Sequence, residues 1–209
     1  MKLVLSAAAA ASLVMVPASA AVFTDAAAYD AAAGSFTIET FEDEALIGTA
    51  GSGGVSVASF DGFTVTATEN AVKVVNQPLF GAVNSTPGGS QYLYLDTDIA
   101  FVGAQYTFTF DVPVTEFGFN YSDLDQSGGT FTLTAGGETY ALAAGSNDEV
   151  LFFGLAELSP LTSFVINSDN DSGFGIDDIR VSGEEIPLPG AAVLMLAGLG
   201  LGALRRRPR

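Results

Sequence analysis

An antiparallel all-β sandwich of jelly-roll type, carrying a short N-terminal helix, is the fold class that the sequence predicts, and three observations predict it. From Ser35 onward, runs of Val, Phe, Thr, Tyr and Ile are punctuated by Gly, Asn, Asp and Ser, the composition of short strands and turns. No stretch between these runs has a helical period, which argues against a parallel sheet. Within several runs apolar and polar residues alternate, as in Tyr106-Thr107-Phe108-Thr109-Phe110, so one face of the strand is buried and the other wet.

The chain opens with Met1-Lys2, an apolar segment from Leu3 to Val16 and the small-residue site Ala18-Ser19-Ala20, so residues 1–20 are expected to be a secretory signal removed after Ala20. Thr24-Asp25 then starts a helix over Ala26 to Ala33, which Gly34 is expected to close in the left-handed conformation. The spacing predicts strands over Phe36 to Phe41, Val55 to Phe60, Phe63 to Thr68, Val72 to Val75, Tyr92 to Leu95 and Gln105 to Phe110. Further strands follow at Thr115 to Tyr121, Thr130 to Ala135, Thr139 to Ala143, Val150 to Phe153, Ser163 to Asn167 and Phe174 to Val181. Gly136-Gly137 reads as a tight hairpin turn, and Gly51 to Gly54 and Pro87 to Ser90 read as loops. Residues 21–183 therefore make one β-sandwich domain, followed by a tail over residues 184–209.

All 24 acidic residues lie between Ala21 and Pro189, where only Lys73 and Arg180 oppose them, an excess of 22 negative charges. Such a surface repels nucleic acid and anionic lipid and favours cations. The chain has neither cysteine nor histidine, which removes disulfides, thiol nucleophiles, a Ser-His-Asp triad and imidazole-ligated zinc. Carboxylate-pair chemistry is the main metal-free catalytic option left, and carboxylates and carbonyls suit a hard cation such as Ca²⁺.

The tail has three parts: Ile186-Pro187-Leu188-Pro189-Gly190, an apolar run from Ala191 to Leu204, and the basic end Arg205-Arg206-Arg207-Pro208-Arg209. The prolines hold an extended, accessible segment, the run can enter a bilayer as a transmembrane helix, and Arg205, Arg206, Arg207 and Arg209 stop at its cytoplasmic face. This order resembles the PEP-CTERM class of C-terminal sorting signals, in its VPLPA-CTERM variety, with Ile186 in place of Val and Gly190 in place of Ala. The resemblance implies recognition by an exosortase-type sorting protease after insertion in the inner membrane. Ala191 to Leu204 spans only about 21 Å as a helix against a hydrocarbon core of about 30 Å, so it is expected to be a transient handle, cut near Pro187 to Gly190; a plain tail anchor is the other reading. The segments Phe41-Glu42-Asp43, Thr107 to Val114, Phe152-Phe153-Gly154 and Phe174 to Ile179 also resemble jelly-roll, carbohydrate-binding-like domains found before such tails.

Four places are candidates for chemistry. Asp123-Leu124-Asp125-Gln126-Ser127-Gly128 opens like an EF-hand loop, but Thr134 stands where the bidentate Glu belongs, so an acidic turn is the alternative. Asp169-Asn170-Asp171-Ser172-Gly173 raises the same question. If Leu93 and Leu95 face the core, Tyr92 and Tyr94 share the other face and offer rings for stacking on sugar; cross-strand packing is the alternative. In the last strand, Phe174 and Ile176 share a face, whereas Ile179 and Val181 share the opposite one. A bulge at Asp177 and Asp178 would return all four to the core, and a Ca²⁺ site is expected there from Glu42 and Asp43 with Asp177 or Asp178. Taken together, these features lead to the expectation of a secreted, Ca²⁺-stabilised, non-catalytic protein of the envelope or extracellular matrix with polysaccharide as a ligand. The alternatives are a hydrolase using paired carboxylates and a tail-anchored adhesin.

Overall fold

The computed structural model of the protein describes residues 20–49, 53–68, 71–96, 104–124, 130–156, 158–168 and 173–182. Ala18 of the signal, the sorting segment from Ile186 to Arg209, Asp125 to Gly128 and the turn Asp169 to Ser172 lie outside these residues. Among the described residues no helix is long and apolar enough to cross a membrane.

The described chain runs β1 Ala21–Phe23, α1 Ala26–Ala32, β2 Phe36–Glu39, β3 Val57–Phe60, β4 Phe63–Ala67, β5 Val72–Val75 and β6 Tyr92–Leu95. It continues with β7 Ala104–Val114, β8 Phe117–Ser122, β9 Phe131–Ala135, β10 Glu138–Ala141, β11 Val150–Ala156, β12 Leu161–Ser168 and β13 Phe174–Ser182. Every predicted strand is found, most within two residues of its expected ends. The addition is β1, too short to carry a strand pattern of its own, which pairs with β11. Gly136 and Gly137 both have positive φ, 60° and 87°, and join β9 to β10 with Glu138 opposite Ala135, the two-residue turn that the sequence predicts.

All strand pairings are antiparallel and fall into two sheets. One has the order β1-β11-β8-β13-β6-β5, with β2 also on β13; the other has the order β10-β9-β12-β7-β4-β3. From β6 to β13 the chain crosses between the sheets in jelly-roll order, with β6-β13-β8-β11 facing β7-β12-β9-β10. Between the sheets lies an aromatic core. Phe164 of β12 stacks on Phe108 of β7 at 4.5 Å and, across the sandwich, on Phe117 of β8 at 4.4 Å, with ring planes 8° and 2° apart. Both rings and their neighbours are buried, and burying side chains of this size is the main drive to close the two sheets.

Helix α1 lies on the outer face of the first sheet. Asp25 caps it, its carboxylate accepting from Ala28 N at 2.8 Å. Its other end departs from expectation: Gly34 is not left-handed, because Ala33 turns extended (ψ 151°) and Gly34 N is drawn to Glu116 Oε1 at 3.1 Å. The two cations of the domain are used internally. Lys73 pairs with Asp96, and Arg180 Nε donates to Asp30 of α1 at 2.8 Å.

Candidate functional site

Strand β13 has two neighbours along one edge, β6 against Phe174 to Ile176 and β2 against Ile179 to Ser182, and its parity problem is solved where they meet. The β13–β8 register shifts between Asp177 and Arg180, and Asp178 has φ 48°. This irregularity puts Phe174, Ile176, Ile179 and Val181 all into the core, as the sequence requires. It leaves Asp177 and Asp178 buried and pointing out of the sheet's regular pattern.

The loop between β5 and β6 crosses over them. Asp177 Oδ2 accepts from Ser85 N at 2.7 Å and Thr86 N at 3.1 Å, and both hydroxyls of these residues lie within reach. Asp178 accepts from Thr86 Oγ1 at 2.7 Å and from Asn120 Nδ2 at 2.9 Å. Burial pushes the Asp177 carboxyl up to about 6, opposed by the Ser85 amide and reinforced by the charge of Asp178. Glu42 holds the far side of the same loop, its Oε1 accepting from Asn84 Nδ2 at 3.0 Å, Ser90 N at 2.8 Å and Gln91 N at 2.9 Å.

The expected ligand set of Glu42, Asp43, Asp177 and Asp178 is therefore not gathered into one cluster. Strand β2 does run antiparallel to β13, with Glu39 opposite Ile179, so the acidic segments arrive as neighbours. Between them comes the loop from Asn84 to Gln91, whose N–H and O–H groups satisfy Glu42, Asp177 and Asp178 where a cation would otherwise be needed.

Asp43 turns elsewhere. Phe41, buried with φ 60°, packs edge-on against Phe60 at 5.1 Å and reverses the chain after β2. Phe41 N donates to Glu39 Oε1 at 2.6 Å, and Glu44 N donates to Phe41 O at 3.2 Å. The reversal brings carboxylate oxygens of Glu39, Asp43 and Glu44 within 4.8 Å of one another. With Glu42 and Asp61 they line a hollow of about 430 Å³. Burial raises the Glu39 pKa, the Phe41 amide opposes it, and the charges of Glu44 and Asp43 add to the rise. Three hard oxygen donors with neither Lys73 nor Arg180 among them fit a divalent cation. The run Glu42-Asp43-Glu44 after a strand was the available signal; Glu39 was missed because strand parity alone does not show a reversal at Phe41.

Tyr92 and Tyr94 do not form an open platform. Their parity is as expected, with Leu93 and Leu95 in the core between the sheets, yet both tyrosines are 1% exposed. Val75, Leu79 and Ala82 cover them in a second small core on the outer face of the sheet, so the β5–β6 loop occupies the place where a sugar would stack. Asp123, first residue of the EF-hand-like stretch, is also buried, with φ 61°.

No family model and no curated protein matches the sequence. Among solved structures, the chain is similar to the CBM22-1–GH10 modules of a Clostridium thermocellum endo-1,4-β-D-xylanase complexed with xylohexaose, with 13% identity and a TM-score of 0.38 over 72% of this chain and 28% of that one. It is also similar to tailspike protein 4 of bacteriophage CBA120, with 16% identity and a TM-score of 0.37 over 58% and 19% of the two chains. A third similarity is to TmCBM61 in complex with β-1,4-galactotriose, with 16% identity and a TM-score of 0.35 over 58% and 88%. The chain thus spans less than a third of the xylanase and tailspike structures. Likeness of this degree assigns neither ligand nor activity.

Proposed function

We propose that the chain is an exported, non-catalytic interaction module of the bacterial envelope or extracellular matrix, stabilised by Ca²⁺ and with polysaccharide as its ligand class. The observation that carries this reading is the triad Glu39, Asp43 and Glu44, whose carboxylates converge at an open hollow while both cations of the domain are paired elsewhere. Like charges held this close repel unless a cation lies among them. Ca²⁺ would draw the β2–β3 segment onto the sandwich there, and its affinity would stabilise the fold by mass action.

Delivery rests on the two ends of the sequence. The signal over residues 1–20 exports the domain. The tail from Ile186 to Arg209 holds it briefly in the inner membrane, where an exosortase-type protease cuts near Pro187 to Gly190. Polysaccharide as ligand is supported by the resemblance of the strand segments to carbohydrate-binding-like domains and by the 22 excess negative charges, which disfavour anionic partners.

Calorimetric titration of the EDTA-stripped full chain with CaCl₂ tests the reading. One site is expected, abolished in the double variant Glu39→Gln/Asp43→Asn and retained in Asp177→Asn. Equal binding by all three chains, or none by the parent, removes the triad as the site. In the same preparations, retention of a polysaccharide at unchanged length supports a binding module, whereas shortened chains would put a carboxylate-pair hydrolase in its place. Recovery of only uncut C-termini in cells that contain the protease would leave a tail-anchored adhesin.

A further inference from the structure

We infer that Phe80, at the tip of the turn Leu79 to Ala82, is a stacking contact for a sugar ring, and that the loops around it form the ligand-binding end of the domain. The ligand class rests on the reading above; the place rests on the geometry of the turn. Leu79 N donates to Ala82 O at 3.1 Å and Ala82 N to Leu79 O at 2.8 Å, closing a two-residue turn in which Phe80 has φ 52° and Gly81 φ 114°. Asn or Gly would adopt the first position with little strain. A bulky side chain is strained there, and Phe80 is 74% exposed. Stability accounts for neither the strain nor the exposure.

The ring is also mounted rigidly. Directly beneath the turn, the buried Tyr92 hydroxyl accepts from Leu79 N at 3.0 Å and lies 3.0 Å from the carbonyls of Gln77 and Ala82, one of which takes its proton. From the side, Asp148 N donates to Gly81 O at 2.9 Å. Gly81 is packed so closely that a Cβ on it would lie 2.6 Å from Asp123 Oδ1 and 2.9 Å from Asn147 Cγ. Asp123 and Asp148 have φ 61° and 63°, so three of the five non-glycine residues with positive φ among the described residues meet around Gly81. Asp tolerates this conformation, so the strain at this end of the domain belongs to Phe80, and a strained, exposed residue held by such packing is where a preorganised surface would meet a ligand.

The surroundings select the ligand. On the segments that flank the turn and bond to it, Asn76, Gln77, Pro78, Ser146, Asn147, Asp148 and Glu149 are exposed, three neutral amides and two carboxylates among them. A single aromatic face with hydrogen-bonding groups at its rim suits a pyranose, which presents C–H groups on its face and hydroxyls at its edge. The acidic surface excludes polyanionic glycans, so the ligand is a neutral polysaccharide.

Affinity electrophoresis of the full chain through gels containing mixed-linkage β-glucan, arabinoxylan or galactan tests the proposal. Phe80→Asn removes the ring but suits the turn, so its melting temperature should equal or exceed that of the parent. Its affinity for the polysaccharide that retards the parent should fall about tenfold or more, and Phe80→Trp should keep most of it. If the parent is retarded and Phe80→Asn is retarded equally, this site is wrong while the binding-module reading stands. If none of the three polysaccharides retards the parent, that reading fails and the site with it. Unchanged retardation together with lost binding to phosphatidylcholine vesicles would make the ring a membrane contact and overturn the proposal.

Discussion

Asp177 is pulled in two directions: burial favours its neutral form, while the amides of Ser85 and Thr86 favour its charge. Burial prevails, and the folded-state pKa rises from 3.8 to about 6. A raised carboxyl pKa contributes stability that is fully present below the unfolded value and is lost as pH rises through about 6. Between pH 4 and pH 7 the loss should be of the order of 3 kcal/mol at most. Asp177→Asn keeps a carbonyl acceptor for the two amides and has no proton to lose. With EDTA present, urea unfolding of the two chains should show the parent losing ground to the variant from pH 4 to pH 7. A difference that stays constant across this range would mean that the carboxyl is not held neutral by burial.

At the scale of elements, helix α1 docks where two strands have no side chains. A Cβ on Gly154 of β11 would lie 2.6 Å from the Tyr29 ring and 2.9 Å from the Phe152 ring, and one on Gly118 of β8 would lie 2.7 Å from Phe152. Tyr29 is fully buried in this flat patch, and Arg180, 5.2 Å over the Phe152 ring, ties the helix down through Asp30. Gly154→Ala should therefore destabilise the domain by about 1–3 kcal/mol through overpacking, read as a lower urea midpoint with an unchanged slope. An unchanged midpoint would show that the helix shifts away at no cost and contributes little to stability.

For the molecule as a whole, the charge is the dominant fact. Residues 21–189 carry 24 carboxylates against Lys73 and Arg180, and both cations are committed to ion pairs. Mutual repulsion of the rest is screened by salt, over about 10 Å at 0.1 M, so the melting temperature should rise with NaCl. CaCl₂ should raise it further at equal ionic strength, because a bound ion stabilises by mass action as well as by screening. A melting temperature flat in both salts would refute the role given to the acidic surface.

The sequence by itself determined the strands, because alternation such as Tyr106 to Phe110 is a local record of which face is buried. It also determined the bulge at Asp177 and Asp178, because four apolar side chains on one strand cannot otherwise share a face. It determined the pairing of Gly136-Gly137 as a turn, and the start of the helix at Thr24-Asp25, of which the structure makes Asp25 the cap. Tertiary structure alone decided what the polar atoms meet. Tyr92 and Tyr94 have the parity expected of an open face, yet a loop dozens of residues from the last strand covers that face and binds Asp177, Asp178 and Glu42 as it passes. Parity is a property of one strand, whereas exposure depends on every segment that crosses it. For the same reason Asp43 left its expected partners for Glu39 and Glu44: one buried left-handed residue, Phe41, reversed the chain, and its ring is held by Phe60 and the core, contacts that lie far off in the sequence.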